Sequence, residues 1–180
     1  LYNAKKAGYT HIYIVIGEKE QLIQEFYGKK NKSNNFNGLT INYVIQYIPE
    51  DRVKPFGTAD ALYHAITQYP ELNNDSYTVC NSDNLYSEGA LRMLRKTTHA
   101  NALISYDRDA LQFSLQRIAS FALMSLDKEG FLQDIIEKPT VEDSQLYKDL
   151  KGKLRVSMNI FKFDGAMFKE YIVNCPINTI

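Results

Sequence analysis

Residues 54–62 (KPFGTADAL) combine a glycine and a hydroxyl residue at the predicted start of a helix. Gly57 would let a ligand approach the backbone closely, and Thr58 could cap the helix. The free N–H groups and the dipole at a helix start favour an anion or the polar edge of a nucleobase. An ordinary loop followed by an N-cap gives the same pattern, so these residues alone leave both interpretations open.

Residues 77–84 (YTVCNSDN) place a carboxylate, that of Asp83, directly after a predicted apolar strand. Mg²⁺ prefers oxygen ligands and usually takes one or two carboxylates together with substrate phosphates. Asp83 is therefore a candidate Mg²⁺ ligand. The alternative is that Asp83 caps the following turn, which is a common role of aspartate.

Residues 133–139 (QDIIEKP) end a predicted strand with two neighbouring charges. Glu137 could accept hydrogen bonds from vicinal sugar hydroxyls, and Lys138 could meet a phosphate as a compact positive charge. Considered alone, such residues are more often solvated charges at the end of a strand.

Strands and helices alternate along the chain, and this order predicts an α/β domain. We predict an open, mixed but mostly parallel sheet flanked by helices, with a hairpin around Gly130 as its antiparallel part. Ligands bind such sheets beyond the carboxyl ends of the strands, which is where the three segments lie. Residues 28–38 are predicted to form an exposed loop, and residues 47–56 a long connection. The predicted strands are 11–16, 39–46, 77–80, 101–106, 120–126, 131–136 and 155–163, and the predicted helices are 18–27, 58–67, 89–96, 142–150 and 165–173.

The composition argues against several classes of protein. The 180 residues carry 21 Lys and Arg against 21 Asp and Glu, so no net field attracts nucleic acid or a membrane. Neither the histidines nor Cys80 and Cys175 have metal-ligand spacing, and Cys80, inside an apolar run, is predicted to be a buried reduced thiol. No apolar stretch approaches the ~20 residues that span a bilayer. We therefore expect a cytoplasmic protein with no nucleic-acid or membrane partner, and a homo-oligomer is compatible with the sequence.

Four segments, in this order, resemble motifs of the sugar-phosphate nucleotidyltransferases, also called nucleoside-diphosphate-sugar pyrophosphorylases. Residues 55–62 are similar to the family's Pro-x-Gly-Thr-Ala-x-Ala-Leu, and residues 79–84 to its Val-x-Asn-Gly-Asp-Asn. Residues 135–139 contain its Glu-Lys-Pro motif, and residues 156–161 (VSMNIF) resemble its Asn-x-Gly-Ile-Tyr. Residues 7–17 resemble the family's second βα unit, so the resemblance covers nearly the whole chain.

The resemblance implies a Rossmann-like nucleotidyltransferase domain over residues 1–180. It implies that a sugar 1-phosphate attacks the α-phosphate of a nucleoside triphosphate in line and releases pyrophosphate, a step of nucleotide-sugar biosynthesis. By position, it assigns nucleotide binding to Gln46, Gly57 and Thr58, Mg²⁺ binding to Asp83, and sugar-phosphate binding to Glu137, Lys138 and Asn159. Asp83 and Lys138 are the catalytic candidates under this assignment.

Two parts of the family's site have no counterpart in these residues. The Gly-rich signature loop would precede Leu1, and the second metal-binding Asp would follow the end of the sequence, since Asp164 stands at a structural position. We therefore expect a central piece, truncated at both ends, with little or no transferase activity alone although its parent protein is an enzyme.

Two alternatives stay open. A non-catalytic relative would bind a nucleotide or sugar phosphate for regulation or assembly. A nucleotide-sugar-dependent glycosyltransferase would usually carry Asp-x-Asp where residues 81–83 (NSD) offer a single carboxylate, and it would have no counterpart of the Glu-Lys-Pro segment.

Overall fold

The computed structural model describes residues 1–28, 35–140 and 142–176 of the chain, which form an α/β structure. The helices are α1 Tyr2–Ala7, α2 Gln21–Tyr27, α3 Thr58–Gln68, α4 Glu88–Lys96, α5 Leu115–Ala119, α6 Asp143–Leu146 and α7 Gly165–Val173, with short 3₁₀ helices at Pro70–Asn73 and Arg108–Ala110. The strands are β1 His11–Ile16, β2 Asn35–Phe36, β3 Leu39–Ile45, β4 Ser76–Cys80, β5 Ala102–Leu103, β6 Tyr106–Asp107, β7 Leu123–Leu126, β8 Leu132–Ile136, β9 Arg155–Val156 and β10 Ile160–Asp164.

The α/β class is as predicted, but the expected single, mostly parallel sheet is wrong. The described strands form three sheets, ordered β1-β3-β2, β4-β10-β5 and β6-β9-β7-β8. Strands β1 and β3 are parallel, whereas the pairs β2–β3, β6–β9, β7–β8 and β7–β9 are antiparallel. One physical reason is the length of the connections, because a parallel pair needs a crossover of about a dozen residues or more. Residues 37–38 alone join β2 to β3, a hairpin that was not predicted, and residues 127–131 join β7 to β8, the hairpin that was.

The chain divides into two compact units. Unit 1 comprises residues Leu1–Tyr77, Tyr86–Asn101 and those from Lys162 on, and unit 2 comprises Thr78–Leu85 and Ala102–Phe161. The boundary passes through β4 and β10. The prediction of one nucleotidyltransferase domain over residues 1–180 stays a prediction.

The core of unit 1 is built on the parallel pair β1 and β3. Their β-branched, apolar sequences suit a surface that is covered on both sides. Leu39, Ile41 and Val44 of β3 are at most 1% exposed, and Ile16 of β1 belongs to the same core cluster as Leu39 and Ile41. Helix α3 buries Leu62, Ala65 and Ile66.

Two contacts tie the end of the described chain into unit 1. Gly165, the first residue of α7, donates its N–H to the Asp75 carbonyl at 2.9 Å. A Cβ at this glycine would collide with the Leu72 carbonyl oxygen and lie 2.8 Å from that of Asp75, so no larger residue fits. The buried Lys162 ammonium donates to the carbonyls of Thr97 and His99, at 2.8 and 2.9 Å, directly after α4.

The middle of unit 2 is strand β7, which pairs with β8 on one side and β9 on the other. Leu123 and Met124 of β7 and Val156 of β9 are at most 1% exposed. Strand β9 is followed by Ser157–Asn159, which separate it from β10, so the predicted strand 155–163 is interrupted there.

Several predicted boundaries differ from the structure. The predicted strand 101–106 is two short strands, β5 and β6, and the predicted helix 142–150 is only the short α6. Helix α2 begins at Gln21 rather than at residue 18. Of the predicted loop 28–38, residues 29–34 lie outside the described residues, and Asn35–Phe36 form a strand rather than a loop.

The prediction of a buried Cys80 is also wrong, because both Cys80 and Cys175 are free and exposed. Cys80 is the last residue of β4, where the apolar run ends. No helix in the described part of the chain is long and apolar enough to cross a membrane.

Candidate active site

The candidate residues fall into two groups, one in each unit. Unit 1 holds the nucleotide candidates Gln46, Gly57 and Thr58. Unit 2 holds the metal candidate and the sugar-phosphate candidates, namely Asp83, Glu137, Lys138 and Asn159.

Helix α3 presents an N-terminus without a side-chain cap. Its N-cap is Gly57, in an extended conformation, and Thr58 is the first helical residue, so the prediction that Thr58 caps the helix is wrong. The first N–H groups of a helix have no acceptor within the helix, and here no capping side chain supplies one. A Cβ built on Gly57 would meet no atom within 4 Å, so the space beside this N-terminus is open.

Gln46 follows β3 and links that strand to the start of α3. Its Nε2 donates to the Asp60 Oδ2 at 2.7 Å and to the Phe56 carbonyl at 3.1 Å. Its backbone N–H donates to the Ile16 carbonyl at 2.9 Å, which continues the pairing of β3 with β1. The hydrogen bonds of Gln46 therefore hold the connection formed by residues 47–56 at both of its ends.

Asp60 is a residue of this arrangement that the sequence reasoning did not single out. It lies in the first turn of α3, where a carboxylate stabilises the helix dipole. The available signal was an acidic residue near a helix start, within the Gly-Thr-Ala-x-Ala-Leu motif. That signal does not reveal its partner, because Gln46 precedes it by 14 residues.

Asp83 follows β4 in a turn and is exposed. Among the described residues, its carboxylate has no hydrogen bond or ion pair. The cap of the next helix, α4, is instead Ser87, whose Oγ accepts from the Ala90 N–H at 3.1 Å. The described residues contain no cluster of three or more His, Cys, Asp or Glu that could hold a metal. One free carboxylate does fit Mg²⁺ that takes its remaining ligands from phosphates and water.

The pairing of β7 brings two of the predicted segments to the same edge of a sheet. Leu123 lies opposite both Ile136 of β8 and Val156 of β9. Both neighbours are antiparallel to β7, so β8 and β9 run in the same direction and end together. The residues that follow them, Glu137–Lys138 after β8 and Ser157–Asn159 after β9, therefore leave the same edge.

Two of the candidates have a left-handed backbone. The φ angles are 49° at Lys138 and 53° at Asn159. Asn tolerates this region, but a lysine before a proline is an unusual occupant. Such conformations cost about 1–3 kcal/mol each and concentrate at functional sites. Both side chains are exposed, as is that of Glu137.

Ser157 holds the turn before Asn159. Its hydroxyl accepts the Asn159 N–H at 3.2 Å, and its own N–H donates to the Ala122 carbonyl at 3.1 Å. Ser157 is 6% exposed, so its hydroxyl is a buried acceptor for a backbone N–H group. The sequence reasoning quoted Ser157 within a motif and gave it no role.

An ion pair between Asp149 and Arg155 orders the loop before β9. The Asp149 carboxylate accepts from the backbone N–H groups of Lys153 and Lys151, at 2.8 and 2.9 Å, and from Arg155 Nε at 2.7 Å. The Lys153 N–H and the Arg155 guanidinium hold the pKa of this carboxyl below its ordinary value. Arg155 belongs to β9, so the loop and the strand are fixed together.

A model of the nucleotidyl transferase family matches residues 1–175. The chain belongs to the nucleotidyl transferase family. The chain is 29% identical to glucose-1-phosphate adenylyltransferase 1 of Vibrio parahaemolyticus, over 96% of this chain and 42% of that protein. It is 30% identical to the small subunit of the chloroplastic/amyloplastic enzyme of Triticum aestivum, over 69% of this chain and 25% of the relative.

The fold of this member of the nucleotidyl transferase family is similar to solved structures of UDP-glucose pyrophosphorylase. The complex with UDP-glucose superposes with a TM-score of 0.60 at 14% identity, over 96% of this chain and 65% of that one. The apo structure gives a TM-score of 0.61 at 13% identity. The chain thus spans a quarter to two fifths of the length of these two curated relatives and about two thirds of these structures.

The family motif and the backbone agree at one position. In the alignment of VSMNIF with Asn-x-Gly-Ile-Tyr, Asn159 stands where the nucleotidyl transferase motif has glycine. The left-handed φ of Asn159 explains this correspondence, because glycine and asparagine are the residues that adopt such a conformation most readily.

Proposed function

We propose that the protein containing this chain transfers a nucleotidyl group from a nucleoside triphosphate to a sugar 1-phosphate and releases pyrophosphate. The observation that carries the proposal is the shared sheet edge in unit 2. There, Glu137–Lys138 and Asn159 follow β8 and β9, the two strands that flank β7, and Lys138 and Asn159 have left-handed backbones, in a chain of the nucleotidyl transferase family.

The nucleotide would bind at the start of α3. The open space beside Gly57 and the uncapped N–H groups from Thr58 onward suit the edge of a base, and Gln46 lies beside them. These residues need only bind and orient the nucleotide, because phosphoryl transfer depends mainly on alignment and on stabilisation of charge.

Asp83 would hold Mg²⁺ by its accessible carboxylate. When bound, the ion would supply positive charge to the phosphates of the nucleotide. The role of Asp83 itself is to fix that charge at the end of β4, and its freedom from other partners among the described residues leaves it available.

The sugar 1-phosphate would bind at the shared edge in unit 2. Lys138 would meet its phosphate, and Glu137 and Asn159 would hydrogen-bond to the sugar. A phosphate oxygen of the sugar 1-phosphate then forms the new bond to the α-phosphorus, and the bond to the pyrophosphate breaks. No protein nucleophile is needed for this displacement.

The first test is ligand-dependent stability of the chain. Each of ATP, GTP, CTP and UTP, and each of several sugar 1-phosphates, is added with Mg²⁺, and thermal unfolding is recorded. A ligand at 100 times its Kd should stabilise the chain by about 2.7 kcal/mol. We expect Asp83→Ala to abolish the Mg²⁺-dependent part of the nucleotide's effect and Lys138→Ala to abolish that of the sugar 1-phosphate.

Glu129→Ala and Lys128→Ala are the matched controls, since both residues are exposed in the turn between β7 and β8. The transfer itself is measured as pyrophosphate release by the full-length protein. Ligand binding without any release would contradict the enzymatic proposal and favour a non-catalytic binding role.

A cytoplasmic location and Mg²⁺ as the metal belong to the same proposal. Free, exposed thiols at Cys80 and Cys175 are typical of a reducing compartment, which supports the location. The homo-oligomer stays a prediction that light scattering would test.

A further inference from the structure

The carboxamide of Gln46 has an orientation that its neighbours determine. The two groups beside its Nε2, the Asp60 carboxylate at 2.7 Å and the Phe56 carbonyl at 3.1 Å, can only accept hydrogen bonds. An inverted carboxamide would place its oxygen against both of them. The amide nitrogen must therefore face inward, with both of its hydrogens engaged.

The oxygen of the same carboxamide is consequently the atom left for a ligand. Gln46 Oε1 accepts no hydrogen bond from the described residues, and it is not among their buried unpaired polar atoms, so it is not fully buried. It follows β3 on the chain, and its partner Asp60 lies in the first turn of α3, so the oxygen is held near the uncapped start of that helix.

The Asp60 carboxylate is the stronger of the two determinants. A hydrogen bond to a charged acceptor is shorter and about twice as strong as one to a carbonyl. The His64 Nε2 is 3.8 Å from Asp60 Oδ2 and therefore beyond hydrogen-bonding distance. The imidazole instead packs against the Tyr47 ring, with centroids 5.6 Å apart.

We propose that Asp60 is a positioning residue that sets which base edge the site accepts. It holds Gln46 so that only an acceptor faces the nucleobase, and the base must then present an N–H or amino donor to it. Its negative charge also occupies the first turn of α3, which leaves the helix start suited to an uncharged base edge rather than to a phosphate. The inference rests on the proposed nucleotide site and adds the chemistry by which that site reads the base.

The test uses the Asp60→Leu variant and nucleotides with altered bases. The wild-type chain is titrated with ATP, GTP, CTP and UTP, and the nucleotide that binds best is compared with its analogue methylated at the donor nitrogens, such as N6,N6-dimethyl-ATP or N3-methyl-UTP. We expect methylation to weaken binding to the wild type about tenfold, the value of one hydrogen bond left unmade. Asp60→Leu should bind the unmodified nucleotide about tenfold more weakly and lose most of the discrimination.

Exchanging the donor and acceptor groups of Gln46 and Asp60 distinguishes a loss of positioning from general damage to the fold. Gln46→Glu alone places two carboxylates against each other and should weaken nucleotide binding. The double variant Gln46→Glu with Asp60→Asn restores a donor, the Asn side-chain amide, opposite an acceptor. It should bind the nucleotide more tightly than Gln46→Glu alone but less tightly than the wild type, because the Phe56 carbonyl still faces a carboxylate oxygen. Inorganic tripolyphosphate, which has no base, should bind the wild type and all variants equally, and Asp51→Asn in the preceding connection is the matched substitution control.

The outcomes distinguish this inference from the proposed function. If neither the wild-type chain nor the full-length protein binds any of the four nucleotides, both are overturned. If it binds a nucleotide and Asp60→Leu leaves affinity and discrimination unchanged, or if the double variant shows no recovery, only the role of Asp60 is overturned. If Asp60→Leu weakens the binding of tripolyphosphate as much as that of the nucleotide, Asp60 acts on the fold and not on the base.

Discussion

At the scale of single residues, the backbone conformation at Asn159 is as informative as its side chain. The left-handed turn is held by the buried Ser157 hydroxyl, so the pair acts as one unit at the end of β9. The sequence motif pointed to this segment, but it did not reveal the buried contact. A hydrogen bond between residues two apart depends on the turn that they adopt, and the Ala122 carbonyl, just before β7, holds that turn through the Ser157 N–H.

Substitutions at this turn should separate conformation from contact. Ser157→Ala leaves the Asn159 N–H without its acceptor and should lower the free energy of unfolding by about 1–3 kcal/mol. Asn159→Gly should keep or slightly raise stability, whereas Asn159→Val should cost about 1–3 kcal/mol because a β-branched residue resists positive φ. Urea unfolding measures all three. Equal stability of the Gly and Val variants would contradict the conformational argument.

The Asp149 ion pair gives a prediction about pH. The folded-state pKa of this carboxyl is below its ordinary value of 3.8, so its contribution to stability is present above that value and is lost as the pH falls through the folded pKa. Asp149→Asn should therefore be less stable than the wild type at pH 7, and the difference should shrink below about pH 4. Unfolding at a series of pH values measures it. A difference that grows in acid would reverse the assigned sign.

At the scale of helices and strands, local patterns were sufficient where an element is long and periodic. The bounds of β1 and α7 agree with the predicted ranges, and α3 differs by one residue at its end. The relative direction of paired strands was not predictable in the same way, because an apolar run has the same sequence pattern in parallel and antiparallel sheets. One usable signal was overlooked: Asn37–Gly38, both with positive φ, form the two-residue turn between β2 and β3.

Helix α7 offers a test of close packing at an element boundary. Gly165→Ala forces a methyl group onto the Leu72 carbonyl and should destabilise unit 1 by at least about 1–3 kcal/mol. Gly89→Ala in α4 is the control, because a Cβ there has no neighbour closer than 3.9 Å and alanine favours a helix. Thermal unfolding of both variants gives the comparison. Similar melting temperatures would show that the chain relaxes around Gly165.

At the scale of the whole molecule, neither unit is continuous in sequence. Unit 1 takes three segments of chain and unit 2 takes two, an organisation that periodicity cannot reveal because it depends on which distant strands pair. The sequence resemblance nevertheless predicted the family correctly, since its motifs lie at strand ends whose local sequence is distinctive. The contacts that position them, such as Gln46 with Asp60, needed the tertiary structure.

The discontinuity predicts how the chain responds to truncation. A polypeptide of residues 1–101 lacks Lys162 and α7, so the Thr97 and His99 carbonyls lose their buried donor and α3 loses the helix packed on it. We expect this piece to unfold without a cooperative transition, whereas residues 1–176 should show one. Denaturant unfolding followed by circular dichroism tests this, and a sharp transition in the shorter piece would refute it.

The two exposed cysteines have a practical consequence for spectroscopy. Cys80 belongs to unit 2 and Cys175 to unit 1, and the sequence has no other cysteine. A thiol-reactive donor and acceptor dye would therefore label each unit once without any engineered mutation. Energy transfer between the two dyes, recorded while nucleotide and sugar phosphate are added, would measure any ligand-driven change in the distance between Cys80 and Cys175.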